Sequence, residues 1–209
     1  MEGYGATAVQ EEAVGGMEGN NNRVQKDWAI ICPGPSLNHH YEFKHDEGCL
    51  IAVNMAILKK VPDWWAMIDN EVFEDVLNKI DIDTVMKKTT LWIPNKWQER
   101  RGYGRIDPIF DGFKKEAWAD LNDEGLPGRG IPWITKTIFA AIALAIKKNA
   151  KTIRIYGADM AGEGYFVKGM STVRQLHDSQ RWAEERRNIS AITRACNELG
   201  IEILLETIA

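Results

Sequence analysis

The chain has 209 residues, 44% of them hydrophobic, with a formal net charge of -4. That is enough apolar material for one full core, and so mild a negative balance carries no overall nucleic-acid signature. No run of about 18 apolar residues occurs and the start lacks a basic segment followed by an apolar one, so neither a membrane span nor a signal peptide is read and a soluble, cytoplasmic protein is expected.

Residues 1–25 are rich in glycine, asparagine and glutamate without a sustained apolar period, which predicts a flexible tail. Short apolar segments of strand length follow: "WAIIC" from Trp28, "LIAVN" from Leu50, "WWAMID" from Trp64, "TLWIP" from Thr90, "TIRIYG" from Thr152 and "IEILL" from Ile201. Helical patterns lie between them. "NEVFEDVLNKI" after Asp69 is one; Thr135 to Lys148, apolar on most of its surface, is a buried second. A third runs from about Thr172 to Leu199, where Trp182, Ile189, Ile192, Cys196 and Leu199 recur at helical spacing before Gly200. Strands alternating with helices predict an α/β fold, an open, mostly parallel, doubly wound Rossmann-like sheet in one domain over residues 26–209. Cys32, Cys49 and Cys196 each sit in an apolar pattern and read as buried free thiols.

In such a sheet a ligand sits outside the carboxyl ends of the strands. The residues there are Gly34, Pro35 and Ser36, then Asn54, Asp69, Asn95, and Gly157 with Asp159. The "PGPS" turn from Pro33 suits phosphate, with Gly34 permitting close backbone approach and Ser36 adding a hydroxyl near N–H groups; equally, glycine and proline punctuate connections that bind nothing. Asn54 offers an amide to ribose, phosphate or a base edge, or caps a helix over "MAILKK". Asp69 serves as a proton acceptor, a metal ligand or a helix cap. Thr135, Lys136 and Thr137 bring two hydroxyls and an ammonium to a helix start, a second phosphate clamp or an ordinary solvated cap. His177 is a candidate general base, against a partly buried helix histidine. The spacing of His39, His40 and His45 gives no shared face, so no metal site is read there.

"CPGPSL" after the first strand, "AVN" closing the second, and "TKTIFAAIALAIKKNAKTIRIYGADM" together resemble the bacterial sialyltransferase family typified by the lipooligosaccharide sialyltransferases of Campylobacter. The resemblance covers Ala29 to Asn54, Ile134 to Asp159 and, loosely, Tyr165 to Leu205. It implies a CMP-sugar site in which Gly34 to Ser36 and Asn54 contact the nucleotide and its phosphate, Thr135 to Thr137 lie beside the phosphate, and Tyr165 hydrogen-bonds it. His177 would be the catalytic base, and no cofactor would be required. "TKT" stands where that family has "TSG", and Ala161 replaces one of its two phosphate tyrosines. "VPDWWAMID" with the "GPSL" loop resembles instead the archaeal-type hydroxymethylpterin pyrophosphokinases, which implies ATP and magnesium held by Asp69 with Asp63. The chain also looks like small phage-borne members of this wider group, which implies a phage or host glycan, or modified DNA, as acceptor and the host cytoplasm as compartment.

Residues 95–132 are long and irregular, mixing Trp97, Tyr103, Phe110, Phe113 and Trp118 with Lys96, Arg100, Arg101 and Arg105. They read as a lid-like insertion and a platform for an anionic acceptor, or as packing for the core or a homo-oligomer interface. The expected function is transfer of a sugar from a nucleotide sugar to a hydroxyl of a glycan or nucleic acid, with His177 or Asp69 as base. The alternative is a magnesium- and ATP-dependent pyrophosphokinase.

Overall fold

Strands buried on both faces need apolar side chains at successive positions, and "WAII", "LIAV" and "LWIP" supply them. The computed structural model describes residues 24–94, 97, 106–118, 137–160 and 179–206. Seven strands, Lys26–Ile31 (β1), Leu50–Val53 (β2), Trp64–Ala66 (β3), Thr90–Pro94 (β4), Lys114–Trp118 (β5), Ala150–Tyr156 (β6) and Glu202–Glu206 (β7), form one sheet. The order is β5-β4-β3-β2-β1-β6-β7 and every neighbouring pair is parallel. The expected strands all appear, and the sheet is wholly parallel.

Alternation along each strand sends side chains to two cores. Trp28, Ile30, Ile51, Val53, Ile153 and Ile155 pack beneath two long helices, Thr137–Lys147 (α4) and Ser179–Glu198 (α5). Ala29, Ile31, Leu50, Ala52 and Trp65 face the other way. There they meet the short helices Asn70–Leu77 (α1), Ile82–Lys88 (α2) and Ile106–Gly112 (α3), and two 3-10 turns, Pro35–His39 and Asn54–Leu58. The molecule is therefore doubly wound, in three layers. The cysteines are buried free thiols as expected; burial pushes Cys49 and Cys196 up to about 11 and Cys32 higher still.

Two parts differ from expectation. Residues 106–118, read as part of a lid-like insertion, form α3 and the edge strand β5, which pairs with β4 from Thr90↔Lys114 to Pro94↔Trp118. "KKEAW" is charged because it lies at an edge, so its apolar signal is weak. Phe110 and Phe113 lock the unit down by meeting Phe73 edge-on at 5.9 and 6.5 Å, and Lys115 Nζ lies 4.5 Å over the Phe110 ring. The rest of 95–132, Trp97 aside, lies outside the described residues, as do 1–23 of the expected tail. Leu199, assigned to the apolar stripe of α5, is 55% exposed just beyond the helix.

Helix α2 was not anticipated, although its start signal is local. Asp81 is its N-cap, accepting from the Thr84 backbone N–H at 3.4 Å and from Thr84 Oγ1 at 2.6 Å. These bonds hold its carboxyl below the ordinary value of 3.8. A depressed folded value means the stabilisation is complete above the unfolded value and is lost as pH falls through the folded one. Asp81→Ala is accordingly expected to lower the urea midpoint at pH 7, with the difference from the unchanged protein shrinking progressively below pH 4. Asp81→Asn, which can still cap, should retain most of the midpoint.

No helix among the described residues is long and apolar enough to cross a membrane.

Candidate functional site

The chain steps outward from β1 through β5 on one flank, then crosses to the other flank of β1 for β6. The gap between the carboxyl ends of β1 and β6 is therefore the topological switch point, where open parallel sheets bind ligands. The β1–β6 ladder continues past both strands. Cys32 N donates to Tyr156 O at 2.8 Å and Gly34 N to Gly157 O at 2.9 Å. Asp159 then reaches back, accepting the Ser36 N–H on Oδ2 at 2.9 Å.

This geometry corrects the phosphate reading of "PGPS". Pro33 and Pro35 have no N–H, Gly34 and Ser36 spend theirs on the β6 loop, and Leu37 N donates to Gly34 O at 3.0 Å. No backbone donor from Pro33 to Leu37 is left for an anion. Gly34 is small because the β6 loop lies against it: a Cβ there would sit 2.3 Å from Gly157 O and 2.4 Å from Asp159 Oδ2. Gly157, at φ +69°, is pressed the same way, its Cβ position falling 2.3 Å from Cys32 O and 2.9 Å from Leu37 Cβ. The two glycines belong to one strap between loops.

Asn54 follows β2 with φ +51°, as the first residue of a 3-10 turn rather than the cap of a helix. Its carbonyl accepts from Trp65 Nε1 at 2.7 Å, which pins the backbone in place. Its side-chain Oδ1 is buried and accepts nothing among the described residues. A buried acceptor without a partner costs about 1–3 kcal/mol, so something has to compensate it. Of the other left-handed residues, Gly48, Asn149 and Gly200 lie in turns that lead into strands, where such a conformation is ordinary. Asn54, Gly157 and Met160 (φ +46°) instead follow strands, on the carboxyl edge of the sheet.

Asp69 also stands on that edge, past β3. It is exposed, and its carboxylate does not cap α1, so the capping alternative is not realised. Asp63 stands at the opposite edge, ahead of β3, where its Oδ2 accepts the Leu50 N–H at 2.9 Å. The strand separates the two carboxylates, so the proposed magnesium pair is not assembled and Asp63 does not fit a metal role there. Among the described residues no group of three or more His, Cys, Asp or Glu is arranged to hold a metal. Only Lys148 and Asn149 separate α4 from β6, so the start of α4 comes to the carboxyl edge; its first residue, Thr137, is 4% exposed and packed. Thr135, Lys136, Tyr165 and His177 lie outside the described residues, as does Asn95.

One residue was missed. Glu185 on α5 is 7% exposed, a buried carboxylate whose charge, with that of Asp159, adds to the burial that raises the Cys32 thiol. Both carboxylates therefore lie near the end of β1. The signal was present in the periodicity, since 182, 185, 189, 192 and 196 form one helical stripe and Glu185 is its charged member. Next to it, Arg186 Nη1 donates to Met160 O at 2.6 Å and ties α5 to the β6 loop.

Comparison with family models, curated proteins and solved structures finds no match.

Proposed function

We propose that the chain is a glycosyltransferase that uses a nucleotide sugar, CMP-linked, bound along the carboxyl ends of β6, β1, β2 and β3. The observation that supports it most is Asn54: a strained backbone pinned by Trp65, carrying a buried acceptor that a ligand hydroxyl or amino group would satisfy. In the reaction the acceptor hydroxyl gives its proton to a base, its oxygen bonds to the anomeric carbon, and the bond from that carbon to the phosphate oxygen breaks. Asp69, one strand from Asn54 and free of capping, is available as base; His177 keeps that role as an expectation from the resemblance. Lys136 and Tyr165, on the same resemblance, steady the departing phosphate. The acceptor is a glycan or a nucleic acid.

The pyrophosphokinase reading keeps one supporting feature, the same exposed Asp69, as a magnesium ligand. Thermal-shift measurements with CMP, CDP, UDP, GDP and ATP, each with magnesium and with EDTA, separate the two. A ligand at ~100 times its Kd adds roughly 2.7 kcal/mol to stability. Stabilisation by CMP that survives EDTA is the expected result; stabilisation by ATP that requires magnesium would replace the glycosyltransferase with the pyrophosphokinase.

A further inference from the structure

We infer that the β1/β6 switch point receives the ribose hydroxyls of the nucleotide on Asp159, and not its phosphate. This rests on the nucleotide-sugar reading and reverses the orientation that the glycine turn implies.

Three observations carry it. First, every backbone donor from Pro33 to Leu37 is consumed, two of them by the β6 loop, so the turn has lost the groups with which such loops hold phosphate. Second, the Ser36 N–H holds Asp159 by Oδ2 at 2.9 Å and thereby orients the carboxylate, while Oδ1 accepts no hydrogen bond among the described residues. A phosphate dianion brings acceptors and negative charge to a position already occupied by both; a vicinal diol brings two donors, which a carboxylate takes. Third, two strands away, the uncompensated group of Asn54 is again an acceptor, Oδ1. Strand spacing puts the ends of β6 and β2 about 10 Å apart, a span on the scale of a nucleoside. With ribose on Asp159, an amino group of the base or a sugar hydroxyl reaches Asn54, and the phosphate points away from the β1 turn.

The test is calorimetric titration of the full chain with CMP and 2′,3′-dideoxy-CMP, repeated with AMP and 2′,3′-dideoxy-AMP, for the unchanged protein and Asp159→Asn. CMP is expected to bind at least ten-fold more tightly than its dideoxy form. Asp159→Asn is expected to weaken CMP by at least ten-fold and to remove the difference between the two sugars. The sign is decisive, because a phosphate beside Asp159 would bind more tightly once the carboxylate charge is gone. Tighter CMP binding in Asp159→Asn, or equal affinity of ribose and dideoxyribose forms in the unchanged protein, overturns the inference and leaves the nucleotide-sugar reading standing. Failure of all four nucleotides to bind overturns both. Should Asp159→Asn not fold, the comparison of sugars in the unchanged protein decides alone.

Discussion

Asn54→Gly is expected to raise the stability of the free protein by about 1 kcal/mol while abolishing transfer, a combination that an ordinary structural residue does not give. The contributions can be separated. Glycine relieves the left-handed backbone at φ +51°, by about 1 kcal/mol at most, but lowers stability by roughly 0.5–1 kcal/mol through the greater freedom of the unfolded chain. Those two nearly cancel. The sign is then decided by removal of the buried unpartnered Oδ1, whose cost is about 1–3 kcal/mol. The bond from Trp65 Nε1 goes to the backbone carbonyl and survives the substitution. Urea denaturation gives the first quantity and a transfer assay with CMP-sugar the second. A lower urea midpoint would mean that the amide is satisfied within the protein, and undiminished turnover would remove Asn54 from the mechanism.

The second large effect is on the strap. Gly157→Ala is expected to cost at least about 3 kcal/mol, of which the left-handed backbone accounts for roughly 1 and overpacking for the remainder. The new Cβ would lie 2.3 Å from Cys32 O, and Cys32 is held by its own N–H bond to Tyr156 O at 2.8 Å, so the backbone that must yield belongs to the β1–β6 ladder. Gly200→Ala is the matched control. Its φ of +74° imposes the same conformational strain, yet nothing lies within 4 Å of the added methyl, so the cost should stay near about 1 kcal/mol. Gly34→Ala, meeting Gly157 O and Asp159 Oδ2, should resemble Gly157→Ala. Urea midpoints at unchanged m-value measure all three. A loss for Gly157→Ala no larger than for Gly200→Ala would show that the two loops separate readily and that the strap is not rigid.

Much of the fold was legible because burial on both faces leaves a mark that local patterns carry. The apolar runs at β1, β2, β4 and β6 and the helix of Thr137–Lys147 follow from it, while the stop at Gly200 is read from its left-handed backbone need. Where the mark fades, the reading fell short: β5 is an edge strand of charged residues, and α2 is short and held by a single cap. The carboxyl-edge positions of Gly34, Asn54, Asp69, Gly157 and Asp159 were likewise determined by chain order and strand ends alone.

What those residues do there was decided by the tertiary structure. The glycine of "PGPS" has the same local signature whether it faces a phosphate or a neighbouring loop, and Asp159, 123 residues away from Ser36, settles which. Asp63 and Asp69 look like a pair along the chain and are separated by a strand that sends them to opposite edges. Glu185 hides among charged neighbours until the helix is set against the end of β1. The reason is common to all three: chain order fixes the edge on which a side chain emerges, whereas the partner that takes its hydrogen bond or feels its charge comes from a strand or helix far away in sequence, and only packing brings that partner within reach.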